Sequence, residues 1–232
     1  PYNKLRNLAI NILPYDLTSG QISVIREIDN DLASEDKMLR LLQGDVGSGK
    51  TIVAFLTLIS TVEAGFQGAF MAPTEILARQ HFEFFKPIAS KIGISVDIIT
   101  GKDTKSQRAL ILEKLETGAT NLLIGTHALF QNEVKFKNLG YAVIDEQHKF
   151  GVNQRLALGD KGAGTNILIM TATPIPRTLT MIGYGDLDIS YLTSKLPGRI
   201  PIKTKAISSE RIEEVIEGLS LIHISEPTRR TS

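Results

Sequence analysis

Short apolar runs alternate along this chain with longer stretches whose apolar positions recur at helical spacing. That is the pattern of a parallel sheet covered by helices. Met38–Leu42, Gly68–Ala72, Ser95–Thr100, Asn121–Gly125, Tyr141–Asp145 and Asn166–Thr171 read as the strands. Between them, Thr51 to Glu63 is apolar almost all round, as a helix buried against a sheet would be. Glu75 to Lys91 carries Ile76, Leu77, His81, Phe84, Phe85 and Ile88 at spacings of one, three and four, so its aromatics are expected in the core rather than as a stacking platform for bases. Thr104 to Glu116 and Val152 to Leu158 are further amphipathic helices, and Ser208 to Glu217 opens on Ser208-Ser209 as a cap. The chain shows no internal repeat and no low-complexity segment.

Two short motifs turn this fold class into chemistry. Gly44-Asp-Val-Gly-Ser-Gly-Lys-Thr51 matches the phosphate-loop pattern G-x-x-x-x-G-K-[ST], after a predicted strand and at the start of a predicted helix. Gly44, Gly47 and Gly49 let the backbone turn tightly and, with Ser48, aim amides at phosphate oxygens where the positive end of the helix dipole sits. Lys50 would bridge the β- and γ-phosphates, and Thr51 would ligate Mg²⁺. Asp145 and Glu146 end another apolar run, beside the loop if the sheet is open and parallel. Asp145 is then placed in the Mg²⁺ shell and Glu146 polarises water; on its own such a pair reads more readily as a solvated strand end, and the phosphate loop in the same sheet reverses that reading.

Other residues are more ambiguous on chemistry alone. Leu17-Thr18-Ser19-Gly20-Gln21 superficially resembles the transporter-ATPase signature, but it precedes the phosphate loop instead of following it. Gln21 fits better as an amide reading adenine through N6 and N7, with a polar helix-start residue as the alternative. His148 is either a γ-phosphate sensor or a satisfied histidine. His127 is either a cap or a backbone contact for nucleic acid. Lys102, Lys105 and Arg108 form a small basic cluster that reads as a solvated face.

With 232 residues, 42% of them hydrophobic and 22% charged, the chain can bury a real core. No run reaches the roughly 18 apolar residues of a membrane span, and no signal segment opens the chain, so a cytoplasmic place is expected. With no cysteine and four scattered histidines, the expected metal is Mg²⁺ carried by ATP. Pro1 in the place of a Met points to a piece of something longer. From Leu219 onward the text resembles the translation of a transposase adapter used to prepare sequencing libraries, so residues 219–232 are set aside as a read-through scar. Without Arg229, Arg230 and Glu226, the 26 basic and 25 acidic side chains become 24 of each. Any attraction to nucleic acid must then come from local patches. No Asn-Lys-x-Asp motif follows the loop, which disfavours a GTPase.

The motifs taken in order resemble the RecG family of superfamily 2 helicases. The carriers are Leu17-Thr18 with Gln21, the phosphate loop, Ala72-Pro-Thr-Glu-Ile-Leu-Ala78 with Gln80, Thr100-Gly101, Gly125-Thr-His-Ala-Leu-Phe130, Asp145-Glu-Gln-His148 and Thr171-Ala-Thr-Pro-Ile-Pro-Arg177, across residues 13 to 218. The resemblance implies a RecA-like P-loop NTPase three-layer sandwich with a mostly parallel central sheet, in an ATP-dependent motor that remodels stalled forks and Holliday junctions. By it, residues 1–13 lead in from a wedge-bearing region, 14–195 form the ATP-binding motor domain, and 196–218 hold the linker and the start of a second motor domain. Thr171, Thr173 and His148 would couple nucleotide to DNA, while Thr74, Gly101, Thr126 and His127 would lie near the DNA backbone. Lys149 stands where the family usually shows Arg, which removes a planar fork. The translocase family Mfd is the nearest alternative, with Ser48, Thr74-Glu75 and Gln147 favouring RecG. Nothing after Arg177 resembles the second motor domain, so a nucleotide-holding module with very slow turnover is a further alternative. An arginine finger from the second domain is worth roughly 10³ to 10⁵ in rate.

Overall fold

The computed structural model describes residues 3–145, 164–173, 187–193 and 208–217. Seven strands form one sheet: β1 (Leu39–Gly44), β2 (Gln67–Met71), β3 (Val96–Ile99), β4 (Leu122–Gly125), β5 (Leu139–Asp145), β6 (Asn166–Thr171) and β7 (Asp188–Leu192). Their spatial order is β3-β4-β2-β5-β6-β1-β7, and every neighbouring pair is parallel. The sheet is therefore wholly parallel among the described residues, where the sequence reading asked only for a mostly parallel one. All six expected strands are present, and β7 adds an edge strand that the apolar pattern did not show.

Side chains of β2 alternate between two separate cores, which is the consequence of a two-residue strand period. Phe70 joins a core built with α1 (Lys4–Ile12), α2 (Ser19–Leu32), α3 (Lys50–Glu63) and α4 (Glu75–Lys91). Ala69 and Met71 face the opposite core, with Leu115 of α5 (Lys105–Thr117) and with Ala128, Leu129 and Val134. Helices thus cover both faces, giving a three-layer α/β sandwich.

The near-continuous apolar character of α3 follows from its position, since it runs under the sheet with ten residues buried. Phe55 on α3 stacks on Phe85 of α4 at 4.3 Å between ring centroids, and Phe70 meets Phe85 edge-on at 5.1 Å. Each fully buried ring of this kind is worth about 2 to 3 kcal/mol, and each ring pair adds about 1. Two residues of the predicted α4 face behave differently: Ile76 points outward and Phe84 lies at the core's rim. Ala78 and Ala89, outside the predicted face, are fully buried beside His81, Phe85 and Ile88.

The lead-in is itself a helix. Lys4 and Leu5 at the start of α1 donate their amides to the Glu63 carboxylate, at 2.8 and 3.1 Å, so an acid at the end of α3 satisfies the orphan amides of α1. Arg6 is buried and pairs with Asp29 of α2 at 2.7 Å. At the other edge, Arg40 on β1 reaches Asp31 at 2.5 Å, Ser190 Oγ of β7 at 2.9 Å and Glu27 at 3.5 Å. This charged knot fastens β7 to α2. No helix among the described residues is long and apolar enough to cross a membrane. By its internal contacts the chain divides into residues Pro1–Leu196 and Pro197–Ser232. In the second part, Ser209–Arg211 form a 3₁₀ turn and residues 212–217 are helical, close to the predicted 208–217. The expected helix Val152–Leu158 and the stretch 219–232 lie outside the described residues.

Candidate functional site

The carboxyl ends of the strands share one edge of a parallel sheet, and the described site residues at or after strand ends fall along that edge in two groups. On one side stand β5, β6 and β1, ending in Asp145, Thr171 and Gly44. On the other stand β3, β4 and β2, followed by Gly101, Thr126 with His127, and Thr74. The sheet order itself thus sorts the residues expected at the nucleotide from those expected near DNA.

The phosphate loop turns from β1 into α3 through two left-handed glycines, Gly47 at φ 76° and Gly49 at φ 87°. Gly49 is the N-cap residue of α3, so the free amides and the positive dipole end of a 14-residue helix open into the loop. A side chain at Gly49 would also collide with the Gln21 amide. Lys50 is buried, and its ammonium donates to Gly44 O at 2.6 Å and Asp45 O at 3.1 Å. It is therefore already bent over the loop. Thr51 follows, half-buried. Ser48 Oγ, by contrast, is buried without a hydrogen-bond partner among the described residues, and so is Gln43 Oε1 at the end of β1. Orphaned buried polar atoms beside a cradle of amides and an ammonium are what a bound polyanion would satisfy. The residues present fit a nucleoside triphosphate.

Gln21 is tied to this loop from a distance of 27 residues. Thr18 and Gln21 form a capping box at the start of α2: Gln21 N donates to Thr18 Oγ1, and Thr18 N donates to Gln21 Oε1. The same amide donates from Nε2 to Ser48 O at 3.2 Å. Gln21 is therefore both a polar helix-start residue and a strut against the phosphate loop. One hydrogen-bonding capacity remains on each of its amide atoms, a donor and an acceptor, as pairing with an adenine edge requires.

Asp145 ends β5 as a buried carboxylate, and its Oδ2 lies 3.0 Å from Nε2 of His81 on α4. Helical spacing marks His81 only as part of the apolar face of α4. A histidine on the inward face of a helix that starts at a strand's carboxyl end was the signal available, since such a helix runs back along the sheet past its neighbours' ends. Thr171 is fully buried, and its hydroxyl lies 3.0 Å from that of Thr173 and accepts from Thr173 N. The Thr-Ala-Thr turn is closed on itself beside β1 and β5. Glu146, His148 and Lys149 lie outside the described residues.

On the other half of the edge, Thr74 caps α4 by accepting from Leu77 N at 3.3 Å. Gly101 is exposed, and nothing stands within 4 Å of where its Cβ would be. Thr126 is buried, while His127 is exposed at the start of a 3₁₀ turn. The basic cluster is only partly solvated: Arg108 pairs with Glu133 and Gln131, and Lys102 reaches Glu75 at 3.5 Å.

Comparison with known proteins accords with this arrangement. The chain is 50% identical over 214 residues to the ATP-dependent DNA helicase RecG of Aquifex aeolicus, covering 91% of this chain and 27% of that protein. With its Haemophilus influenzae namesake the identity is 48% over 216 residues, covering 91% and 31%. The chain thus spans less than a third of the length of these relatives. Among solved structures, RecG bound to a three-way DNA junction superposes with a TM-score of 0.84 at 44% identity, over 96% of this chain and 30% of that one. The DEAD-box helicase Mss116, at 21% identity and a TM-score of 0.62, shares the RecA-like fold. A family model described as DEAD/DEAH box helicase, whose members use ATP, matches residues 18–182. That match takes in the cap at Thr18, the phosphate loop, Asp145 and the Thr-Ala-Thr turn: the chain belongs to the DEAD/DEAH box helicase family.

Proposed function

We propose that the chain is the ATP-binding motor domain of a DNA helicase or translocase that remodels branched DNA, such as stalled forks and Holliday junctions, in recombination and repair. The observation that carries this is the division of the sheet edge, with a phosphate loop and a buried aspartate on one half and exposed backbone and His127 on the other. Relatives bearing the RecG name support it over the Mfd alternative, and the structural neighbour is itself bound to a DNA junction.

In this reading Gly47, Ser48 and Gly49 hold the phosphates with the amides of the loop, Lys50 neutralises the β- and γ-phosphates, and Gln21 reads adenine. Thr51 and Asp145 hold Mg²⁺, which when bound withdraws charge from the γ-phosphate. Glu146 orients the attacking water. Thr171 and Thr173, with His148, report the nucleotide state to the half of the edge that carries Thr74, Gly101, Thr126 and His127. Forked DNA is the partner, a wedge and a second motor domain complete the machine, and the work is done in the cytoplasm.

Lys50→Ala in the intact protein should abolish DNA-stimulated ATP hydrolysis and leave binding to a synthetic fork nearly unchanged. Undiminished turnover in that variant would refute the assignment.

A further inference from the structure

We propose that His81 is a positioning residue for Asp145: it fixes the carboxylate that holds Mg²⁺, and it does so from α4, the helix whose first turn belongs to the DNA half of the edge. The inference rests on the reading of Asp145 given above and goes beyond it by adding a residue that none of the recognised motifs assigns.

The geometry leaves His81 little freedom. Its ring sits 4.6 Å from the Phe70 ring and 6.1 Å from that of Phe85, so the aromatic core sets the plane of the imidazole. Nε2 then points at Asp145 Oδ2, 3.0 Å away, with both residues buried. A buried carboxylate without a partner is costly, and a donated N–H offsets that cost while fixing which oxygen is engaged. With Oδ2 held by His81, rotation of the carboxylate about its Cβ–Cγ bond is restrained, and Oδ1 is the oxygen that would remain to hold Mg²⁺. An outer partner of this kind typically alters metal affinity by about 10- to 100-fold when it is removed.

The location of the donor carries the second part of the proposal. Thr74 caps α4, and Glu75 in its first turn reaches Lys102, next to Gly101. His81 lies seven residues after Thr74, two turns along the same helix and about 10 Å at 1.5 Å per residue. A rigid helix with one end near the DNA backbone and its middle bonded to the metal-holding carboxylate is a short mechanical link between the two halves of the edge.

Two variants separate donation from packing. His81→Phe keeps an aromatic ring in the core and removes the donor, whereas His81→Gln loses the ring but places an amide nitrogen the same number of bonds from Cα. In the intact protein, binding of the fluorescent nucleotide mant-ADP is measured against Mg²⁺ concentration and again in EDTA, with melting curves to confirm folding. His81→Phe should raise the Mg²⁺ needed for half-maximal binding by about 10-fold or more, leave binding in EDTA unchanged, and be rescued by His81→Gln. Asp145→Asn serves as the reference and should lose most of the Mg²⁺ dependence. If Asp145→Asn loses it and His81→Phe does not, the role of His81 is overturned while that of Asp145 stands. The role of His81 is likewise overturned if folded His81→Gln is as impaired as His81→Phe, or is the more impaired of the two. If Asp145→Asn keeps full Mg²⁺ dependence, the reading of Asp145 falls, and this inference with it.

Discussion

Replacing Gly49 by alanine tests the claim that the phosphate loop and Gln21 are built as one unit. At φ 87° any other L-residue is strained, by about 1 to 2 kcal/mol. The added Cβ also lands on the Gln21 amide, which must swing away and give up its bond to Ser48 O, at a further cost of about 1 kcal/mol. Together the loss is about 2 to 3 kcal/mol, or roughly 4 to 12 °C in Tm for a domain of this size. Gln21→Ala removes the obstacle in advance, at its own cost of about 1 kcal/mol for the broken capping box and a similar amount for the bond to Ser48. In the double variant the lost bond is counted once and the collision disappears, so the combined destabilisation should fall short of the sum by about 1 kcal/mol. Thermal or urea denaturation of the four proteins in the cycle measures this. Additivity within about 0.3 kcal/mol would show that Gln21 and Gly49 act independently and that the strut is not energetically real.

Gly101→Ala should leave the melting temperature unchanged or slightly raised, since its Cβ meets nothing and the unfolded chain loses freedom, yet weaken fork binding by about 1 kcal/mol, roughly fivefold. Equal fork affinity would remove Gly101 from the interface. The Tyr141 hydroxyl is fully buried 3.1 Å from Thr57 Oγ1, and burial pushes its ionisation well above the ordinary 10.0. Because the folded state holds the proton more tightly than the unfolded one, the stability from Tyr141 is intact below pH 10.0 and is lost as pH rises above it. Tyr141→Phe should therefore flatten the alkaline limb of a stability–pH curve, and an unaltered limb would refute the linkage.

The apolar pattern exposed what is buried on both sides and little else. Strands β1 to β6 are central or covered by helices, so they read as runs. Asp188-Ile-Ser-Tyr-Leu192 is no apolar run, because β7 is an edge that buries Ser190, exposes Tyr191 and is fastened by the Arg40 knot, invisible to hydropathy. Residues Ile76 and Phe84 share the α4 spacing yet stay outside or at the rim, since period marks a face and not the depth to which each position sinks. The phosphate loop and the strand-end aspartate were legible because their chemistry demands fixed residue types at fixed spacing. His81 was not legible as more than core, because its partner lies 64 residues away and only the register of β5 against β2 brings the two together.

The double engagement of Gln21 bears on how tightly a nucleotide can be held. A glutamine on a surface samples many rotamers, and freezing one on binding typically costs about 1 kcal/mol. Here the capping box and the bond to Ser48 have already immobilised the amide during folding. An adenine that paired with it would meet a stationary edge, so that entropy is charged to folding, and the base would keep a several-fold gain in affinity that a mobile amide would forfeit.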